Sequence, residues 1–372
     1  MLAATHDHIN ADEVFNALQQ RFADNYREIF FDDLAEKTVV IIPSLTLDEE
    51  ILQTVKGIMH YEERMLCMLL LLRMPRTRIV FVTSMPIDSG IIDYYLHLLP
   101  GITSAHARER LTLLSCYDSS PKPLTGKILD RPRLIRRIRD HIRNPRLAHM
   151  ACFNVTEFEK QLALELDIPI FGCDPHHLHL GTKSGSRSLF RRVGVPVPEG
   201  EEGLQDEADI AAALTRLKQK HPGLQRAVIK MNDAFSGEGN AIFYYGELDA
   251  TYDNLEELIK ESLPHHLRIV ARQLNYQQFM DKFRLMGGIV ELFVDGARKE
   301  SPSVQVRINP GGDIDIVSTH DQLLGGESEQ VFLGSFFPAC SEYTVEIAVM
   351  ANTIAAALQE EGVLGRFSID FI

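Results

Sequence analysis

The stretch Val228-Ile229-Lys230-Met231-Asn232-Asp233-Ala234-Phe235-Ser236-Gly237-Glu238-Gly239-Asn240-Ala241-Ile242-Phe243 decides the fold of the second half of this chain. It predicts two short strands joined by a glycine-bearing loop, with a lysine just before the loop. Gly237 and Gly239 lack a Cβ atom, so their backbone can bring N–H groups against an anion, and Lys230 adds a positive charge. These residues fit a phosphate cradle for a nucleotide, and they also fit an ordinary hairpin turn.

Composition and charge restrict the classes of protein to which this chain can belong. Its 372 residues are 45% hydrophobic, which is enough for a large buried core and predicts a globular protein of two or three domains. The formal net charge of −14 repels a phosphodiester backbone, so we expect no nucleic-acid partner.

One segment of the chain is nevertheless rich in arginine. Leucine and isoleucine alternate with the arginines at helical spacing, which favours an amphipathic surface helix with a solvated or salt-bridged face over an anion site. The arginines are Arg131, Arg133, Arg136, Arg137, Arg139, Arg143 and Arg146.

The cysteines and the apolar runs predict a cytoplasmic protein. Five cysteines lie far apart without a C-x-x-C pair, and the N-terminus has no charged-then-apolar signal pattern. The apolar run Met65 to Leu72 is too short to cross a bilayer, so we expect no membrane partner.

The order of apolar patterns predicts an α/β first part and an α+β second part. From Lys37 to Gly172, strand-like runs alternate with helical patterns, which is typical of a parallel sheet with helices on its faces. A helix is expected over about 48–72, and Thr156 with Glu159 predicts a capping box at the start of a later helix. A helix is expected from about Glu207 to Lys220. After it the pattern predicts mostly strands, among them Ile314 to Thr319, and a last helix from about Tyr343 to Glu361.

A second lysine is placed to act with Lys230. Lys183 opens a predicted helix within Gly181-Thr182-Lys183-Ser184-Gly185-Ser186-Arg187. A helix N-terminus prefers anions to its own cations, so a lysine at this position makes better sense with a phosphate beside it. A solvated surface lysine is the other interpretation.

Four motifs follow one another along the second half of the chain. Lys183 with Val195-Pro196-Val197-Pro198-Glu199-Gly200 comes first, and Lys230 with its glycine loop follows. Gly288-Ile289-Val290-Glu291 and Gly365-Arg366-Phe367-Ser368-Ile369-Asp370-Phe371 come later. In this order of motifs, the chain resembles the ATP-grasp superfamily, and more narrowly the pheganomycin-type peptide ligases and related carboxylate-amine ligases. The resemblance covers nearly the whole chain. It implies an N-terminal helical segment (1–36), a pre-ATP-grasp α/β domain (37–180) and an ATP-grasp domain (181–372) with antiparallel sheets and a lid subdomain at about 195–290.

The resemblance implies roles for individual residues. Lys183 and Lys230 would bind the phosphates of ATP, with the loop of Ser236, Gly237, Glu238, Gly239 and Asn240 closing over them. Glu291, Leu292, Phe293 and Val294 would form the hinge beside adenine. Asp370 would bind Mg²⁺, and Arg307 and Arg366 are the catalytic candidates. Two of these assignments have a purely structural alternative. The hinge segment could be an ordinary buried strand, and Asp370 could be a structural carboxylate.

Two further groups carry open alternatives. His320 and Asp321, expected at the end of a strand, could contact phosphate, metal or substrate, or form a loop hydrogen-bond pair. The histidines after Cys173 suggest a metal, but adjacent histidines converge poorly on one ion, so a zinc site is not favoured.

The chain ends inside an apolar strand pattern at Ile372. The resemblance places a second magnesium-binding strand, bearing Glu-x-Asn, further on. We therefore expect the sequence to continue beyond Ile372.

These observations predict an ATP-dependent ligase that joins a small-molecule or peptide carboxylate to an amine through an acyl phosphate. A non-catalytic nucleotide-binding regulatory module and a carboxylate phosphotransferase are the alternatives. A homodimer is compatible with each of them.

Overall fold

The computed structural model describes residues 2–47, 52, 57–233, 239–271, 274–296, 298–325 and 331–372. The chain divides into two compact units. The first unit comprises Met1–Pro175, Ile308–Asp313 and Val363–Arg366, and the second comprises His176–Arg307, Ile314–Gly362 and Phe367–Ile372.

A four-stranded parallel sheet forms the centre of the first unit. Its strands are β1 (Lys37–Ile42), β2 (Thr77–Thr83), β3 (Leu111–Ser115) and β4 (Ala148–Cys152), in the order β3-β2-β1-β4. Val39 and Ile41 pack into the core on one face, and Val40 and Ile42 pack into the core on the other. Because both faces are buried, the strands are continuous apolar runs, and the predicted parallel sheet is confirmed.

Helices cover this sheet. They are α1 (Leu2–Phe31), a 3₁₀ helix (Ile58–Arg73), α2 (Ser89–His97), α3 (Ser104–Arg108), α4 (Leu124–Leu129), α5 (Pro132–Asp140), a short 3₁₀ turn (Pro145–Leu147) and α6 (Glu157–Leu166). Residues 48–51 and 53–56 of the helix expected at 48–72 lie outside the described residues, and its described part is the 3₁₀ helix.

Two local predictions in this unit are confirmed. The capping box forms at the start of α6, where the Thr156 side chain accepts from a backbone N–H of the first turn and the Glu159 carboxylate accepts from the Thr156 N–H. In the arginine-rich segment, helix α5 buries its apolar residues and exposes its arginines. Arg131, just before the helix, and Arg146, after it, form ion pairs with acidic side chains. A buried apolar face with a solvated or salt-bridged arginine face is the structure predicted for this segment.

The first part of the second unit consists of a five-stranded antiparallel sheet and three helices. We call this sheet and its three helices the lid. The sheet order is β5-β9-β6-β7-β8. The strands are β5 (Gly200–Leu204), β6 (Arg226–Met231), β7 (Asn240–Tyr244), β8 (Leu267–Ile269) and β9 (Gly288–Leu292). The 3₁₀ helix Pro175–Gly181 and helix α7 (Lys183–Arg192) precede it, and its own helices are α8 (Glu207–Lys220), α9 (Leu255–His266) and α10 (Tyr276–Met286).

The prediction of mostly strands after Lys220 is wrong for α9 and α10. Pro264 lies inside α9 and argues against a helix from sequence alone. Leu255, Ile259 and Leu263 are spaced four residues apart and fully buried against the sheet. Burial of these side chains against the sheet therefore outweighs the helix-breaking effect of Pro264.

A second sheet, in the order β12-β11-β10-β13, belongs mostly to the second unit. Its strands are β10 (Pro302–Ile308), β11 (Ile314–Gly325), β12 (Val331–Phe336) and β13 (Gly365–Asp370), and α11 (Thr344–Glu360) packs on it. Strand β11 is longer than the predicted strand, which ended at Thr319, because its second half pairs with β12.

Across the described residues, none of the helices has the length and apolar character needed to cross a membrane.

Candidate functional site

The lid sheet has one face covered by helices and one that carries polar groups. Ile229 and Met231 of β6 pack against the helices. Because side chains alternate along a strand, Val228 and Lys230 point to the opposite face. Lys230 therefore stands on the face that the lid helices leave uncovered.

Glu291 is the direct partner of Lys230. The Lys230 Nζ atom lies 2.5 Å from Oε1 of Glu291, whose residue is only 6% exposed. The two residues lie on neighbouring strands, β6 and β9, in an antiparallel register that pairs Lys230 with Ile289. The carboxylate at position 291 thus holds a lysine that the sequence motifs predict to bind phosphate.

Arg187 takes the other oxygen of Glu291, at 2.5 Å, and is itself buried. It also donates to the carbonyl of Pro198 at 2.8 Å and lies 3.4 Å from a carboxylate oxygen of Glu202. Arg187 was not among the site residues predicted from the sequence. The available signal was its spacing, four residues after Lys183, which places both side chains on one side of α7.

Asn232 fixes the start of helix α7, which carries Lys183. The Asn232 side chain accepts a hydrogen bond from the Ser184 backbone N–H at 2.9 Å and donates to the Met286 carbonyl at 2.9 Å. Its own carbonyl accepts from the Lys183 N–H at 3.3 Å. Asn232 was part of the quoted stretch, but nothing in the sequence marked it, because its partners are distant along the chain.

Lys183 stands in an environment that opposes its positive charge. Burial lowers its pKa below the usual value, and repulsion from Lys230 lowers it further. Asp370, Asp233 and Glu291 act in the other direction. The structure therefore brings Lys183, Lys230, Glu291 and Asp370 into one electrostatic neighbourhood, where a bound anion would relieve the repulsion between the lysines.

The predicted hinge divides into two parts. Glu291 and Leu292 belong to strand β9, between β5 and β6, and the Leu292 N–H donates to the Glu199 carbonyl at 2.8 Å. Phe293 and Val294 follow the strand. Phe293 is 8% exposed and packs with two apolar residues of the uncovered face. Phe293 and Val294 therefore lie beyond the strand pairing, and the hinge role of all four residues stays a prediction.

The loop predicted to close over phosphate is described only at its ends. Ser236, Gly237 and Glu238 lie outside the described residues. The Gly239 carbonyl accepts from the Met231 N–H at 3.0 Å, and Asn240 pairs with Lys230 in the β6–β7 register. The two predicted strands are thus confirmed, and the loop's function stays a prediction.

The two arginines predicted to be catalytic make other contacts. Arg307 forms an ion pair with Asp315, with nitrogen–oxygen distances of 3.1 and 2.6 Å. Arg366, in the first unit, lies over the ring of Phe171, 5.5 Å from its centroid. Their catalytic roles stay predictions.

Asp370 is exposed on the last described strand and shares a face of β13 with Arg366, as the spacing predicts. Among the described residues, histidine, cysteine, aspartate and glutamate side chains form no group of three or more placed to hold a metal ion. The magnesium-binding role of Asp370 stays a prediction.

His320 and Asp321 are not a loop pair. Both lie within β11, which continues to Gly325. His320 bonds Ser318 at 2.8 Å, and Asp321 accepts from the Tyr343 hydroxyl at 2.6 Å and the Cys340 N–H at 2.8 Å. Asp321 therefore anchors the segment that leads into helix α11.

Comparison with known proteins bears on this arrangement. A family model described as "IQCH-like, ATP-grasp" matches residues 176–250 and 247–372. IQ motif-containing protein H of Danio rerio is 24% identical over 402 residues, covering 97% of this chain. The chain spans only 38% of that protein's length. L-propargylglycine--L-glutamate ligase of Streptantibioticus cattleyicolor is 28% identical over 345 residues, covering 90% of this chain and 68% of the ligase.

Two solved structures resemble the chain in fold. The biotin carboxylase domain of Hydrogenobacter thermophilus 2-oxoglutarate carboxylase, solved with MgADP, ADP and bicarbonate, has a TM-score of 0.53 and 13% identity, covering 90% of this chain and 60% of that chain. Biotin carboxylase from Campylobacter jejuni, solved as a β,γ-ATP complex, has a TM-score of 0.52 and 13% identity, covering 90% and 61%. At such identity the likeness shows the fold alone.

Proposed function

Because this chain belongs to the IQCH-like ATP-grasp family, we propose that it binds ATP with Mg²⁺ in its second unit and uses ATP to join a carboxylate to an amine. The family match confirms the superfamily that the sequence motifs predict. The identities of both substrates, and the activity itself, are our proposal.

One observation carries the proposal. Lys183 and Lys230 lie in one neighbourhood, Arg187 is buried beside them, and the carboxylate of Glu291 is shared between Arg187 and Lys230. Burial and repulsion from Lys230 both oppose the positive charge of Lys183, and a desolvated cation needs an anionic partner. The phosphates of a nucleotide are such a partner, and its base would lie beside Phe293 and Val294, which follow strand β9.

Asp370 is the carboxylate of this cluster that would bind magnesium. Asp370 acts electrostatically on Lys183, so a carboxylate is present where the phosphates would lie. A hard divalent cation takes carboxylate and phosphate oxygens as ligands, and when bound it would supply charge neutralisation between ATP and the substrate acid.

The proposed reaction balances without a nucleophilic side chain. An oxygen of the substrate carboxylate attacks the γ-phosphorus of ATP, and ADP leaves. The amine nitrogen then attacks the carbonyl carbon, inorganic phosphate leaves, and the nitrogen loses a proton. Lys183 and Lys230 would hold the phosphate oxygens in place and stabilise their negative charge during the transfer. Arg307 would have to exchange Asp315 for the acyl phosphate to act in this step.

The relatives support amino acids as a class of substrate to test. The name of the S. cattleyicolor protein describes ligation of L-propargylglycine to L-glutamate. We therefore propose that an amino acid provides the carboxylate, the amine, or both.

The experiment is a coupled assay of ADP and phosphate release, with mass spectrometry of the product, over a matrix of amino acids. Release of ADP should require an acid and an amine together, and an amide should accumulate in equal amount. ADP release that depends on an acid but on no amine would favour a phosphotransferase. Binding of MgATP without turnover in any combination would favour a regulatory module.

A further inference from the structure

We infer that Arg187 is a positioning residue for the nucleotide phosphates: it holds the buried carboxylate of Glu291 and thereby fixes the Nζ atom of Lys230. This inference rests on the proposed binding of ATP. It assigns a function to a residue that the sequence motifs did not identify.

Arg187 is held at several points by its surroundings. Its guanidinium bonds Glu291 at 2.5 Å and the Pro198 carbonyl at 2.8 Å, and Nε faces Glu202 at 3.4 Å. Only 5% of the residue is exposed. A planar guanidinium with its donors engaged in this way has one orientation, whereas the ammonium of a lysine would satisfy fewer partners.

Because Arg187 has a fixed orientation, it fixes the Glu291 carboxylate, which in turn contacts Lys230. One carboxylate oxygen binds Arg187 and the other binds Lys230, each at 2.5 Å. If Arg187 were removed, one oxygen of a buried carboxylate would lose its charged partner. The full negative charge of Glu291 would then act on Lys230 alone. Lys230 would be neutralised by the protein and less free to bind phosphate.

Arg187 also connects the two lysine-bearing elements. It belongs to helix α7, whose first residue is Lys183, and it reaches strand β9 of the lid sheet through Glu291. Lys230 is on the adjacent strand of the same sheet. The spacing between the two lysines is therefore maintained by a side-chain contact in addition to the backbone bonds at Asn232.

Arg191 provides a matched control. It lies one turn further along the same helix and binds the same Glu202, with a distance of 2.6 Å. Its side chain is 43% exposed, and its described contacts are with Glu202 and the Gly200 carbonyl, not with Glu291. Substitution of Arg191 therefore removes one arginine from α7 and none of the described side-chain contacts of Glu291 and Lys230.

The test compares MgATP and adenosine binding in wild type, Arg187→Met, Arg191→Met and Glu291→Gln. Arg187→Met should weaken MgATP binding by roughly tenfold to a hundredfold, the range found at metal sites when a residue that orients a binding side chain is removed. Adenosine binding should stay within about twofold of wild type, because adenosine has no phosphate for Lys230 to bind. Arg191→Met should bind both compounds like wild type.

A double-mutant cycle tests whether Arg187 acts through Glu291. In the Glu291→Gln background, Arg187→Met should reduce MgATP affinity much less than it does in wild type. Arg187→Lys keeps the positive charge but lacks the planar guanidinium with its several donors, so it should give an intermediate affinity. If Arg187→Met does not fold, Arg187→Lys replaces it in every comparison.

The outcomes separate the two proposals. If wild type does not bind MgATP, the proposed function fails. If wild type binds and the Arg187 variant binds MgATP equally well, Arg187 has no positioning role. Parallel loss of MgATP and adenosine binding would also overturn the inference, because it would indicate general damage to the lid.

Discussion

At the scale of single residues, the site depends on charged side chains, above all Lys183, that are partly removed from water. Lys183 is half-buried, and its pKa is lowered first by burial and then by Lys230. The carboxylates of Asp370, Asp233 and Glu291 offset part of this effect. A lysine with a lowered pKa loses its proton at a lower pH than a free lysine, so phosphate binding at this site should depend on pH.

We predict that MgATP affinity falls on the alkaline side in wild type and not in Lys183→Arg. The protonated form of Lys183 binds phosphate, so affinity is full below its pKa. It should decrease by up to about tenfold per pH unit as pH rises through that pKa, as expected for one linked proton. An arginine keeps its charge throughout this range.

The measurement is the MgATP dissociation constant from about pH 7 to about pH 10.5, which brackets the ordinary lysine pKa, by calorimetry in buffers of matched ionic strength. Identical alkaline profiles for the two proteins would show that Lys183 is not the group whose proton is linked to binding.

The lysines could be identified from the sequence, but the residues that hold them could not. Lys183 and Lys230 stood out because each adjoins a recognisable local pattern, a helix start and a glycine loop. Arg187 and Asn232 act through partners such as Glu291 and Met286, which lie far away in sequence. Such contacts exist only after the strands have paired, so no local pattern indicated them.

At the scale of elements, the register of strands β6 and β9 determines the site. Gly288 of β9 lies opposite Met231. A Cβ atom at position 288 would lie 2.3 Å from the Lys230 carbonyl oxygen and 2.4 Å from the Phe283 ring. This glycine therefore permits the close approach of backbone and helix that places Lys230 beside Glu291.

We predict that Gly288→Ala lowers the free energy of unfolding by about 1–3 kcal/mol, the usual cost of forcing extra volume into a packed region. It should also weaken MgATP binding, because β6 and β9 carry the lysine and its carboxylate. Gly223→Ala is the control, since a Cβ atom at position 223 would have no neighbouring atom within 4 Å and the φ of this residue is not in the left-handed region.

Chemical denaturation with linear extrapolation gives the stability, and calorimetry gives the affinity. Equal effects of the two substitutions would contradict the close-approach argument.

Helices and strands could be predicted from the sequence where the spacing of apolar residues matches the side chains that are buried in the structure. The parallel strands of the first unit are continuous apolar runs, and helix α8 has the bounds Glu207–Lys220 that its pattern predicts. Helices α9 and α10 were not predicted from the sequence, and Pro264 interrupts the helical pattern of the first. Their helical state depends on the sheet that they cover, as the burial of Leu263 and Phe283 shows.

At the scale of the whole molecule, each unit has its own apolar core. Residues such as Val40 and Met150 form the core of the first unit, and Ile229 and Phe283 belong to that of the second. The site residues Lys183, Lys230, Glu291 and Asp370 all belong to the second unit. A ligand that binds them should therefore stabilise the second unit directly.

We predict that saturating MgATP raises the stability of the native second unit by about 2.7 kcal/mol when its concentration is about 100 times the dissociation constant, as linkage requires for a ligand that binds only the native state. Hydrogen exchange followed by mass spectrometry measures this effect locally. Peptides that cover β6 (Arg226–Met231) and β9 (Gly288–Leu292) should exchange more slowly with MgATP, because opening these strands would release the nucleotide.

Lys230→Met serves as the control for this experiment. The variant should show little protection of β6 and β9 at the same MgATP concentration, since it lacks the cation that binds phosphate. Protection of equal size in wild type and Lys230→Met would mean that the nucleotide binds elsewhere, and protection in neither protein at millimolar MgATP would mean that the second unit does not bind ATP. Because exchange reports each strand separately, the result also tells whether β6 and β9 respond together, as the Lys230–Glu291–Arg187 contacts require.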